Sequence, residues 1–236
     1  MTDEVSPAVP PWPRDVRAFT TTGTAAQGLR DLEIAPTGLR GVQWLVQVHG
    51  TRCVEARADT LATVPEADAA WTREHDLAVA VRTADCVPAV VCDRDASLVG
   101  VAHGGWRGLT GGVLENLVAA LPAPPQDLIA WLGPAIGPKA YEVGEDVAAA
   151  VAALPDGARL AAACLRSGRP GKHYLDLFTL SERLLERAGV TKVLTDRLCT
   201  YSDPRFFSFR RDGTTGRMAT VAWLPTAVSG WRSRRS

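Results

Sequence analysis

LAVAVRTADCVPAVVCDRDASLVGVAHGGWRGLTGGVLENLVAAL, residues 77–121, decides the fold. Residues 77–81 are a short apolar run of the buried-strand type, and 87–92 read as a second strand. Between them, Arg82-Thr83-Ala84-Asp85-Cys86 places Cys86 at a break between two strands. The turn-like Asp93-Arg94-Asp95-Ala96 leads into a third strand, 98–102, which stops at His103. Gly104, Gly105, Gly108, Gly111 and Gly112 follow, and then Val113, Leu114, Leu117, Val118 and Leu121 mark one helical face, with Thr110 the expected N-cap. The unit is strand, Gly-rich loop, helix. Turns this short do not allow a parallel crossover, so the pattern predicts a mixed-sheet α/β sandwich rather than a Rossmann fold or a barrel.

Upstream, residues 42–48 (VQWLVQV) alternate apolar and polar, the period of a half-buried strand ending at His49-Gly50. Downstream, helices are expected near 144–154 (Val147, Val151, Leu154) and 176–188, where Asp176 is the cap and Leu177, Leu180, Leu184 and Leu185 face the core. Further strands are expected near 129–132, 192–195, 206–210 and 219–224. Pro7, Pro10, Pro11 and Pro13 make residues 1–14 read as a flexible or loosely docked arm, because proline neither donates to a ladder nor continues a helix. Residues 229–236 read as a frayed tail, leaving 15–228 as one domain without internal repeats.

Of the 236 residues, 46% are hydrophobic and 22% charged, a globular balance able to bury its own core. Lys plus Arg equals Asp plus Glu at 26 each, so no net positive field draws nucleic acid to the surface. The N-terminus is acidic and Pro-rich where a secretory signal would be basic and then apolar, and no apolar run approaches a membrane span. The expected location is the cytoplasm. Cys53, Cys86, Cys92, Cys164 and Cys199 form no CxxC pair, which suits a reducing compartment better than a disulfide framework.

His49, Cys86 and His103 all fall at predicted strand ends, where side chains converge on one sheet edge while the loops stay open to a substrate. Two imidazoles and a thiolate suit Zn²⁺, and three protein ligands leave a fourth position open, as in a catalytic site. Their spacing matches no local zinc signature, and taken singly each residue reads better as a satisfied core histidine or an inert buried cysteine.

The flanking motifs are QVHG (47–50), VPEADA (64–69), RTADCVP (82–88), AHGGWRG (102–108), LGPAIGPKAYEVG (132–144) and FFSFRRDGTTGR (206–217). In this order they resemble the YfiH family, over roughly residues 42–225. Members of that family were labelled multicopper polyphenol oxidases. They are now associated with zinc-dependent phosphorolysis of purine nucleosides (adenosine, inosine, guanosine, methylthioadenosine) and deamination of adenosine, and some with peptidoglycan editing. The resemblance implies that His49, Cys86 and His103 hold zinc and that the fold is an α-β-β-α sandwich. It also implies small-molecule partners, purine nucleosides and phosphate, for a monomer or small homo-oligomer without nucleic-acid or membrane partners. The chain departs from the family at 18–40, which is short and lacks an Asn- and Asp-bearing stretch.

Phosphorolysis needs a phosphate site beside the ribose. The backbone N–H groups of Gly104 and Gly105, the helix start that follows and the guanidinium of Arg107 are the candidate cradle; the alternative for the glycines is a tight turn. Arg210, Arg211 and Arg217 form a second cationic cluster, a phosphate clamp or a solvated surface. Asp85 is a candidate catalytic group that orients a ligand histidine or carries a proton, or else caps a turn. Tyr141 and Glu142 are candidates for a nucleoside pocket, Glu142 alternatively opening the next helix, and Trp106 stacks on a base or packs in the core. His75 and His173 read as surface residues, and Cys53, Cys92, Cys164 and Cys199 as structural. Two further readings stand beside the zinc enzyme: a metal-free cysteine hydrolase with Cys86 as nucleophile, and an editing factor for cell-wall precursors. Copper oxidation is the least favoured, since a multicopper centre needs more histidines than the four present.

Overall fold

The computed structural model describes residues 5–7, 13, 15–22 and 38–226. Two mixed sheets and one layer of helices carry the core. In the first sheet, β1 (Val5–Pro7), β2 (Arg17–Thr21), β3 (Gly41–Gln43), β6 (Leu77–Thr83) and β14 (Met218–Trp223) lie in the order β1-β2-β14-β6-β3. The second holds β4 (Cys53–Glu55), β5 (Ala69–Thr72), β7 (Val87–Asp93), β8 (Val99–Gly104), β9 (Leu128–Leu132) and β13 (Lys192–Thr195), in the order β13-β9-β7-β8-β5-β4. Each is antiparallel except at its margins, where β3 runs parallel to β6, β4 to β5 and β13 to β9. A small antiparallel sheet of β10 (Glu142–Gly144), β12 (Lys172–Leu175) and β11 (Leu165–Ser167) stands apart.

Alternation along the strands builds the layers. Leu77, Val79 and Val81 of β6 meet Val90 and Cys92 of β7 and Val99 and Val101 of β8 between the sheets, while Ala78 and Ala80 turn to the far face beside Phe19 and Val221. Val87, Ala89 and Val91 point the other way, into the helical layer. That layer comprises α1 (Trp106–Gly111), α2 (Val113–Ala120), α3 (Glu145–Ala152), α4 (Gly157–Cys164) and α5 (Leu177–Arg187). Full burial of each large apolar side chain, Leu117 or Phe178 for example, contributes about 1.5–3 kcal/mol. The described residues thus form the β-β-α part of the expected sandwich.

Several expectations are corrected. The strand expected at 42–48 ends at Gln43, whose side-chain amide donates to the carbonyls of Trp44 (2.9 Å) and Thr63 (3.0 Å). Beyond it Val46 makes only an isolated bridge to Glu66, and Val46 and Val48 are exposed. Thr110 is not an N-cap: it lies inside α1, its hydroxyl donating to the Trp106 carbonyl (2.9 Å), and the break between α1 and α2 falls at Gly112, where φ is 101°. Residues 206–210 form no strand, because Ser208 accepts from the N–H of Arg211 and starts a short helix, α6 (Phe209–Asp212). His103 sits within β8, not after it. Of the expected arm, Val5–Pro7 pairs with β2 as an edge strand, where proline is tolerated; the rest of it except Pro13, and the tail 229–236, lie outside the described residues.

Candidate active site

Antiparallel pairing of β7 with β8 sets Val87 opposite Gly104 and Pro88 opposite His103, so Cys86 and His103 arrive at the same sheet edge. Asp85, at φ 90°, turns the chain sharply between β6 and β7 and aims Cys86 inward. His49 comes from the loop after β3, itself at φ 59°. The ligand atoms of His49, Cys86 and His103 all lie within 4.8 Å of one another. Cys86 Sγ is 3.9 Å from His49 Nε2, and the two imidazoles meet edge to face with centroids 4.7 Å apart.

The buried carboxylate of Asp68 supports this cluster. Its Oδ1 accepts from His103 Nδ1 (2.8 Å) and the His49 N–H (3.0 Å), and its Oδ2 from the N–H groups of Val48 (3.1 Å) and Gly50 (2.7 Å). Burial works against its ionisation, yet these donors hold the carboxyl below the usual carboxylate range. Burial likewise opposes a charged imidazole at His103, but the Asp68 carboxylate and the Cys86 thiolate outweigh it and raise the group to about 9. Enclosure pushes the Cys86 thiol up, and hydrogen bonds and charge from His103 and His49 more than reverse this, bringing it down to about 6. Burial and the Cys86 charge raise Tyr141 to about 12, so its phenol stays protonated as a donor at neutral pH.

The donor set fits a tetrahedral metal. At ordinary zinc bond lengths, ligand atoms are separated by about 3.5 Å, within a few tenths of an ångström of the Sγ to Nε2 distance seen here. Gly105 makes room for it: a Cβ there would lie 2.7 Å from His49 Cδ2 and 3.2 Å from Cys86 Sγ.

The cluster forms the floor of an open cavity of about 740 Å³. Val46, Val64 and Phe209, all about half exposed, give its mouth an apolar rim, and Arg82, Arg107, Arg210 and Arg217 make its wall cationic. Arg107 stacks over Trp106, 4.4 Å from the ring, and has no carboxylate or carbonyl partner among the described residues. Arg210 bonds the carbonyls of Ala140 and Glu142 and stacks over Tyr141 at 5.1 Å; Arg217 bonds those of Thr215 and Gly216.

Of the residues singled out by sequence, the cavity brings together His49, Cys86, His103, Asp85, Gly105, Trp106, Arg107, Tyr141, Arg210 and Arg217. Three readings change. Gly104 is the last residue of β8, buried against Val87, and does not line the cavity. Arg211 clamps the carbonyls of Thr200, Tyr201 and Phe206 instead of facing a substrate. Asp85 accepts from the Thr200 hydroxyl (2.6 Å) and the Arg210 N–H (2.7 Å), so the carboxylate on His103 is that of Asp68. The Glu142 carboxylate pairs with Arg169. His75 lies against the Pro225 carbonyl and His173 against Glu145, both away from the cluster. Asp68, Arg82 and the apolar rim escaped sequence reasoning; the sole sequence trace of Asp68 was its place in the VPEADA block.

A family model described as "Multi-copper polyphenol oxidoreductase laccase" matches residues 26–225. A Pseudomonas aeruginosa protein named purine nucleoside phosphorylase is 46% identical over 182 residues, 77% of this chain and 73% of that protein. The Escherichia coli protein named purine nucleoside phosphorylase YfiH is 42% identical over the same shares of the two chains. The crystal structure of a Neisseria meningitidis protein superposes with a TM-score of 0.88 at 37% identity, covering 95% of this chain and all of that one. With agreement of this extent in both sequence and fold, the chain belongs to the YfiH family.

Proposed function

We propose that the protein is a zinc-dependent purine nucleoside phosphorylase, with His49, Cys86 and His103 as the metal ligands. The observation that carries the reading is a His-Cys-His floor beneath a cavity whose wall is cationic and whose rim is apolar, in a chain related to proteins named purine nucleoside phosphorylase. The volume, about 740 Å³, falls in the range of about 300–1,000 Å³ usual for small-molecule sites. Zinc bound there supplies a Lewis acid beside the reacting centre.

The chain's own groups divide the remaining work. Arg107, the cavity guanidinium with neither carboxylate nor carbonyl partner among the described residues, neutralises phosphate. Val46, Val64 and Phe209 cover the apolar faces of a base, and the Tyr141 hydroxyl donates to the substrate. A phosphate oxygen bonds the anomeric carbon as the bond from that carbon to the base nitrogen breaks, and the proton of hydrogen phosphate ends on the base. The cavity would also admit a water beside the amino-bearing carbon of adenosine, activated by a metal held on His49, Cys86 and His103, which makes deamination the second activity of this reading. Copper oxidation needs a further histidine cluster, and His75 and His173 lie apart from the site. Five free cysteines support the reading of the protein as one of a reducing compartment, the cytoplasm.

The test is product analysis of zinc-loaded protein given adenosine, with and without phosphate, beside Cys86→Ala. Adenine and ribose 1-phosphate that require both phosphate and Cys86 are the expected outcome. Inosine alone would make the protein a deaminase, and equal inertness of both proteins would overturn the nucleoside reading.

A further inference from the structure

We infer that Asp68 is the positioning residue of this centre, fixing both histidine ligands with one carboxylate. The inference rests on the reading of His49, Cys86 and His103 as a metal site. A carboxylate only accepts, so His103 Nδ1 must keep its proton toward Asp68, and Nε2 is the nitrogen whose proton a metal would displace. His49 is fixed differently, through its backbone. The N–H groups of Val48, His49 and Gly50 all converge on Asp68 and fold the turn that holds His49 at φ 59°. Four donors meet two oxygens, two on each. Asp68 is in turn held by its own backbone, its N–H bonded to the Arg52 carbonyl and its carbonyl to the His103 N–H (2.7 Å).

Asn cannot reproduce the arrangement. Its NH₂ would either face the N–H groups of Val48 and Gly50, opening the His49 turn, or face His103 and move the ring proton to Nε2, which removes the ligand lone pair. Asp93 is the matched control. It is also buried, it also accepts from a following turn (Ser97 N–H 2.7 Å, Ser97 hydroxyl 2.6 Å, Leu98 N–H 3.1 Å), and it lies at the opposite end of β7 from Cys86.

The experiment titrates Zn²⁺ against a competing chelator in the full chain, its Asp68→Asn and its Asp93→Asn variants, and records the absorption spectrum of each with Co²⁺. Asp68→Asn should bind Zn²⁺ about 10–100-fold more weakly, with altered thiolate-to-cobalt bands, while Asp93→Asn keeps the parent affinity and spectrum. Equal affinities and spectra in all three, with melting temperature alone reduced, would show a merely structural carboxylate and overturn the inference. A parent chain that binds no Zn²⁺ overturns the metal reading itself and the inference with it. Should Asp68→Asn not fold, ¹⁵N spectra of the histidines in the zinc-loaded parent decide. A proton on His103 Nδ1 supports the inference, and one on Nε2 refutes it.

Discussion

Arg107 and Arg211 are both cationic residues of conspicuous motifs, and their surroundings assign them opposite work. Arg107 holds its charge in the cavity wall over the Trp106 ring, without a carboxylate or carbonyl partner among the described residues, whereas Arg211 spends donors on the carbonyls of Thr200, Tyr201 and Phe206. A charge-assisted hydrogen bond contributes about 1.5–3 kcal/mol, roughly 10–100-fold in an equilibrium. Arg107→Ala should therefore raise KM for phosphate by about that factor, with little change in melting temperature. Arg211→Ala should do the reverse, lowering the melting temperature while KM for phosphate stays near the parent value. Steady-state kinetics and calorimetry on the two variants make the comparison. Sequence alone did not separate these arginines, because both lie in glycine-flanked basic motifs and the partners that distinguish them are remote in the chain. Asp68 escaped notice for the same reason: its worth comes from four donors on two other segments.

Among the elements, the strands of residues 77–104 were legible because each is a nearly unbroken apolar run, buried on both faces. Asp176 was legible as a cap, and accepts from the Thr179 N–H as expected. The apolar residues at 42–48 and 206–210 misled because some of them, Leu45, Val46 and Phe209, line the cavity, and periodicity does not tell a cavity lining from a core. Strand ends carry a further test. Asp76, just before β6, accepts from the Thr226 hydroxyl and N–H, tying β6 to the segment after β14. Those bonds hold its carboxyl below the usual range. A group depressed on folding stabilises above its unfolded value, about 4, and loses that contribution as pH falls through the folded value. The melting-temperature advantage of the parent over Asp76→Asn should be constant from about pH 7 to 5 and shrink steadily below about pH 4. A pH-independent difference would mean that the charge is irrelevant to the join.

At the scale of the molecule, the helical core and the His49-Cys86-His103 cluster are separate structures sharing the six-stranded sheet. Leu117 lies fully buried in the former, with its Cδ1 atom packed over Gly100. Leu117→Ala should cost about 2–5 kcal/mol of stability and leave Zn²⁺ affinity unchanged in the folded fraction, as denaturant melts and chelator competition would show. A parallel loss of affinity would mean that the layers communicate.

The strand order of the five-stranded sheet has one more consequence. β14, the latest of its strands in the chain, lies between β2 and β6, and Arg210 and Arg217 immediately precede it. His49, Asp68, Cys86 and His103 therefore leave the ribosome before the strand that completes that sheet and before Arg210 and Arg217 of the cavity wall. During synthesis a thiol and two imidazoles are already at hand while β2 and β6 still lack the partner that separates them. A nascent chain thus presents the proposed metal ligands before its five-stranded sheet can close, and a polypeptide released short of Arg210 would carry those ligands without Arg210, Arg217 or β14.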